Sequence, residues 1–146
     1  MKDFITLFPK TIKENIVSSW VNPKIEAVYE PIPKGVTKET RKVLNSFGIK
    51  EIYRHQSESI NYIYSGNNVV IATGTGSGKS LCYQIPLLDS LINDAESTSL
   101  LLFPTKALSA DQFSKFSQFI KILDLYCTGG NNKYLIGVYD GDTSKS

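Results

Sequence analysis

A chain of 146 residues, 41% of them hydrophobic, is long enough to bury a core and is expected to form one domain. Its formal net charge of +2 is too small to argue for nucleic acid, so such a partner must be read from motifs. Cys82 and Cys127 form no CxxC pair and there is a single histidine, which excludes a written zinc site or disulfide framework and leaves two buried thiols in a reducing compartment as the expectation.

The opening MKDFITLFPK carries Asp3 where a signal peptide needs positive charge and interrupts its apolar run at Thr6 and Pro9. No later run reaches the length of a membrane span. A soluble intracellular protein without a membrane partner is expected, nuclear in a eukaryote and cytoplasmic otherwise. Residues 1–33, with prolines at 9, 23, 31 and 33, read as an extended lead-in lying over the domain formed by residues 34–146. VTKETRKVLNSFG predicts a helix capped by Thr37, with Leu44 and Phe47 on one face and Gly48 as its stop. HQSESINYIYSG repeats the scheme, with Ile60, Ile63 and Tyr64 apolar and Gly66 as the stop. NVVIAT is β-branched without alternation, which predicts a strand buried on both faces. Leu81, Ile85, Leu88 and Ile92 then recur at helical spacing, with Pro86 expected to kink the helix. SLLLFP predicts a second buried strand, followed by a helix with Phe113, Phe116, Ile120 and Leu123 on one side. After the polar TGGNNKY, LIGVYDG predicts a third strand. Strand, helix, strand, helix, strand is a parallel α/β pattern.

Between the first strand and its helix lies TGTGSGKS, from Thr73 to Ser80. Glycines at 74, 76 and 78 let successive backbone N–H groups turn toward one anion, at φ values that a side chain resists. The helix N-terminus adds partial positive charge, Lys79 can reach terminal phosphates, and the Ser80 hydroxyl can ligate a magnesium ion. The expected ligand is a nucleoside triphosphate with Mg2+, held by Thr73, Gly74, Thr75, Gly76, Ser77, Gly78, Lys79 and Ser80, with Lys79 also the candidate catalytic group. Thr73 stands where the usual GxxxxGK[ST] pattern has glycine.

TGTGSGKS resembles motif I of superfamily 2 helicases, in which the first place is variable. YRHQ, from Tyr53 to Gln56, resembles their glutamine motif; FPTKALSADQ, from Phe103 to Gln112, resembles motif Ia; and YDGDT, from Tyr139 to Thr143, resembles the next turn along the DNA-facing edge. Together with SGKSLCYQIP, these stretches are most similar to the RecQ-like DNA helicase branch that carries a C-terminal DUF1998 zinc-binding region. The resemblance implies a P-loop NTPase fold, a RecA-like parallel sheet flanked by helices, in which the strands of the acidic box and of the next motif separate NVVIAT from SLLLFP. It implies ATP as the nucleotide, with Gln56 pairing to the Hoogsteen edge of adenine. It also implies that Pro104, Thr105, Lys106, Asp142 and Thr143 lie on nucleic acid, expected to be single-stranded DNA.

Each residue also has a plainer reading. Gln56 suits a solvated helix start, Tyr53 and Arg54 suit packing as well as stacking on a base, and Lys106 suits an ordinary helix N-terminus. LIGVYDGD imitates a strand ending in a metal-binding aspartate, Asp140, yet DGDT has no glutamate beside its aspartate, so a strand-end turn with Asp142 and Thr143 near nucleic acid or capping is expected. No acidic box occurs in the sequence, and the chain reads as the first part of a first RecA-like domain, incomplete in its sheet, able to bind ATP but not to turn it over alone. The alternative is a P-loop module of another class, a nucleotide switch or small kinase. The sequence shows neither an NKxD segment nor a second substrate pocket. An inactive α/β scaffold is the third reading.

Overall fold

The computed structural model describes residues 7–18, 26–94, 96–131 and 133–143. Its elements in chain order are α1 (Lys10–Lys13), β1 (Tyr29–Pro31), α2 (Lys38–Ser46), β2 (Glu51–Tyr53), α3 (Arg54–Tyr64), α4 (Ser80–Asn93) and α5 (Lys106–Thr128). The end of the expected lead-in is ordered against the domain, because β1 pairs antiparallel with β2 in the register Tyr29 to Tyr53, Glu30 to Ile52 and Pro31 to Glu51. The Arg54 N–H donates to the Val28 carbonyl at 3.0 Å, and an Arg54–Glu30 ion pair at 3.2 Å closes the same edge.

Two of the helices start at a threonine cap, of which Thr37 is the expected one. Thr37 Oγ1 accepts the Thr40 N–H at 3.2 Å ahead of α2, and Thr105 Oγ1 accepts the Leu108 N–H at 3.2 Å ahead of α5. α4 runs without interruption through Pro86, which is buried. It sits between two apolar clusters. Ile85 joins Ile32, Val36, Leu44, Ile52 and Ile60 on one side, while Leu88 joins Val43, Phe116, Ile120 and Leu123 on the other. A part-buried polar joint reinforces this arrangement: the buried Asp89 of α4 accepts the Thr37 hydroxyl at 2.6 Å and the Tyr64 hydroxyl, tying the start of α2 to the end of α3. A carboxylate with several donors satisfies the requirement that buried polar groups be paired.

The three expected parallel strands are the main departure. Among the described residues the only ladder is β1–β2, and residues 68–73, 99–104 and 135–139 carry no strand pairing. Nor are these segments buried on both faces. Val69 and Ile71 are half-buried around Val70, which is 95% exposed, and Leu101 is half-buried between Leu100 and Leu102, exposed by 81% and 82%. The period of two is that of extended backbone with one face partly covered and one open. Leu101, Tyr134 and Ile136 pack against the α5 cluster, but among the described residues no neighbouring strand supplies donors and acceptors. Cys127 also departs from expectation: it is exposed, whereas Cys82 is buried. Burial pushes the Cys82 thiol above its ordinary pKa, which leaves it a packing residue. Among the described residues no helix is long and apolar enough to cross a membrane.

Candidate nucleotide-binding site

The loop from Thr73 to Ser80 joins the half-exposed segment 68–73 to the N-terminus of α4. Gly76 and Gly78 adopt left-handed φ values of 75° and 74°, the conformation in which flanking N–H groups face inward. Gly74 does not share it. Lys79 closes the loop on itself, donating from Nζ to the carbonyls of Thr73 at 2.9 Å and Gly74 at 2.6 Å, with Ser77 Oγ at 3.4 Å. The Thr73 and Ser77 hydroxyls lie 2.6 Å apart, so Thr73 contributes a side-chain contact where a glycine would offer none. Thr75 is exposed at the outer bend of the loop.

Gln56 is not a solvated helix residue. It is 2% exposed; its Oε1 accepts the Tyr53 N–H at 2.8 Å, and its Nε2 donates to the Gly78 carbonyl at 2.7 Å. The first bond is half of a capping box at the start of α3. The second fastens α3 to the phosphate loop so closely that a Cβ built on Gly78 would stand 2.5 Å from Nε2. A carboxamide offers two donor protons and two lone pairs, so these two bonds use one of each.

Beside this joint a cavity of about 360 Å³ is bounded by Val28, Tyr53, Arg54, His55, Glu58 and Ser77. Tyr53 lies between two rings, Tyr29 at 4.8 Å and His55 at 5.6 Å between centroids. His55 Nε2 is buried without a hydrogen-bond partner. Neither Tyr29 nor His55 was a sequence candidate. Tyr29 comes from the proline-rich lead-in, and the adjacency of His55 to Gln56 was its one signal.

The residues expected on nucleic acid fall into one surface group. Thr105 spends its hydroxyl on the α5 cap, Pro104 precedes it in a bend, and Lys106 opens the helix. Lys106 Nζ meets Asp142 Oδ2 at 2.5 Å, which brings the two stretches together across 36 positions. YDGDT is a tight turn: Asp140 Oδ1 accepts the Asp142 N–H at 2.9 Å, and Thr143 Oγ1 accepts the Asp140 N–H at 2.9 Å. This is the geometry of a side-chain-capped turn, here following a segment, 135–139, that carries no strand pairing. Gln112, at the end of the FPTKALSADQ stretch and not among the sequence candidates, accepts the Ser80 hydroxyl at 3.0 Å and the Tyr83 hydroxyl at 2.8 Å.

A family described as DEAD/DEAH box helicase matches residues 53–142, which take in the glutamine stretch, the loop and all of the turn but Thr143. The uncharacterized ATP-dependent helicase YprA of Bacillus subtilis (strain 168) is 37% identical over 133 residues, 90% of this chain and 17% of that protein. ATP-dependent helicase hrq1 of Schizosaccharomyces pombe is 39% identical over 122 residues, 83% of this chain and 11% of that protein. A crystal structure of the DUF1998 helicase MrfA bound to DNA and AMPPNP superposes with a TM-score of 0.71 at 38% identity, covering 82% of this chain and 16% of that one. The chain thus spans less than a fifth of the length of these relatives. The order of its motifs and these similarities agree: the chain belongs to the DEAD/DEAH box helicase family, with the RecA-like P-loop fold which that implies.

Proposed function

We propose that this chain is the ATP-binding part of an ATP-dependent helicase that acts on single-stranded DNA, and that it binds nucleotide without turning it over alone. The observation that carries the reading is the loop itself: two left-handed glycines, an ammonium group held at the loop's centre, and a helix that opens at Ser80. Phosphates would take Lys79 from the Thr73 and Gly74 carbonyls, exchanging neutral acceptors for charged ones. The cavity beside Tyr53 and Arg54 would take the base, with the second donor and acceptor of Gln56 meeting adenine N7 and N6. The similarity to a DNA-bound and AMPPNP-bound helicase supports the same ligands. In the complete domain the flanking strands would complete a RecA-like parallel sheet around the loop. A switch or a small kinase has no comparable support.

Magnesium fits the donor set. Among the described residues no group of three His, Cys, Asp or Glu side chains could cage a metal by itself. Mg2+ takes most of its six oxygens from phosphates and water, so the Ser80 hydroxyl at the helix N-terminus is a sufficient contribution from this loop. Held there, the ion would supply positive charge to the bound phosphates. The chain's own residues orient and bind: Lys79 as a point charge, Gln56 on the base, and Thr105 and Lys106 on a DNA backbone.

Calorimetry with ATP and Mg2+ tests the reading. Losing the Lys79 contact costs about 2–3 kcal/mol, so Lys79→Ala should weaken binding tens- to hundred-fold. Gln56→Ala should narrow the difference between ATP and GTP while sparing phosphate contacts. Equal ATP affinities for the unaltered and Lys79→Ala proteins would overturn the assignment of the loop.

A further inference from the structure

We infer that Gln112 is a positioning residue that joins the metal end of the phosphate loop to the nucleic-acid end of α5. The inference rests on the nucleotide reading above and goes beyond it by naming how the two ligands would be coupled. Ser80 sits at the first position of α4, and Gln112 sits on α5, 32 positions away. The Ser80 hydroxyl has one proton, and it goes to Gln112 Oε1 at 3.0 Å. Spent in that direction, the proton leaves the oxygen lone pairs free for a cation. Without the acceptor the hydroxyl rotates, and it can point its proton where the metal must stand. Outer partners that orient a metal ligand in this way typically affect metal affinity by an order of magnitude or more.

The second half of the argument is the position of Gln112. It lies six residues after Lys106, about 9 Å along the helix at 1.5 Å per residue, on the same rigid rod. Oε1 also accepts the Tyr83 hydroxyl at 2.8 Å, and Nε2 donates to Asp111 at 3.1 Å, so the amide is held on both sides. A cation on Ser80 makes its hydroxyl a stronger donor and tightens the bond to α5. An oligonucleotide that fixes α5 through Thr105 and Lys106 in turn holds Gln112 where Ser80 needs it. Linkage makes the two effects equal in free energy.

The test uses the full-length protein, a fluorescent non-hydrolysable ATP analogue, Mg2+ or EDTA, and oligothymidylate. Gln112→Met fills similar space without the carbonyl acceptor, Gln112→Glu restores an acceptor for both hydroxyls, and Tyr83→Phe removes only the other donor. The expected result is a roughly ten-fold smaller gain in analogue affinity from Mg2+ in Gln112→Met, together with loss of the enhancement by oligothymidylate. Affinity in EDTA and the melting temperature should stay at the unaltered values, and Gln112→Glu and Tyr83→Phe should retain the Mg2+ gain. An undiminished Mg2+ gain in Gln112→Met overturns the inference, as does an equal loss in Mg2+ and EDTA. If the unaltered protein itself gains nothing from Mg2+, the nucleotide reading fails and takes this inference with it.

Discussion

Alanine at Gly78 and alanine at Gly76 should have different costs, although the two glycines belong to one loop and have nearly the same φ, 74° and 75°. In either case a Cβ in the left-handed region costs about 1–2 kcal/mol. At Gly76 nothing lies within 4 Å of the added carbon, so this strain is the whole effect. At Gly78 the carbon would stand 2.5 Å from Gln56 Nε2, and the amide must move. It is the end of a flexible side chain, but one that is 2% exposed and bonded at 2.7 and 2.8 Å. Displacing it leaves a buried donor or acceptor unpaired, which adds about 1–3 kcal/mol. Gly78→Ala should therefore destabilise by roughly 2–5 kcal/mol and Gly76→Ala by roughly 1–2 kcal/mol. Urea unfolding of both, with Gln56→Ala and the Gln56→Ala/Gly78→Ala double variant, reads the difference. In the Gln56→Ala background the extra cost should vanish. Equal destabilisation by the two single variants would refute the argument that the α3-to-loop joint makes Gly78 special.

Burial first, and then the hydrogen bond to Asp89, hold the Tyr64 phenol above its ordinary pKa of 10.0, so its contribution to stability is complete below pH 10 and is lost as pH rises beyond that value. Tyr64→Phe should flatten the decline in melting temperature as pH rises above 10, with Tyr134, pushed up to about 12 chiefly by burial, supplying a residual slope; an unchanged profile counts against the joint. Lys106→Ala in the full-length protein should weaken binding to several unrelated oligonucleotides alike and make the salt slope shallower by roughly 0.7, whereas a sequence-selective loss contradicts a backbone contact. A longer form that supplies strands beside residues 68–73 and 99–104 should melt higher and protect their amides from exchange, because each buried unpaired backbone group costs about 1–3 kcal/mol against a total stability of roughly 5–15 kcal/mol; equal melting of the short and long forms would show that those segments need no partners.

The features legible in the sequence are those governed by neighbours within a turn or two. Thr37 and Thr105 cap α2 and α5 because a hydroxyl one residue before a helix reaches an N–H three residues on. The glycine pattern of the loop sets its backbone, and the spacing of Leu81, Ile85 and Leu88 sets the stripe of α4, whatever the rest of the chain does. Family membership was readable for the same reason, since each motif is a short local device and their order is part of the sequence.

Tertiary structure decided what depends on distant partners. Apolar runs at 68–73 and 99–104 carry the composition of central strands, but strand pairing belongs to two segments at once, and among the described residues neither has a partner. Val69, Ile71, Leu101 and Phe103 are partly buried, Leu101 against the α5 cluster, while Val70, Leu100 and Leu102 remain exposed. The contacts of Gln56 with Gly78, Ser80 with Gln112 and Lys106 with Asp142 span 22, 32 and 36 positions. No propensity or spacing rule encodes them. The first two exist because α4 packs between two apolar clusters and carries the loop at its N-terminus to a place beside α3 and α5, and the third because Tyr134 and Ile136, just ahead of the turn, pack against the α5 cluster.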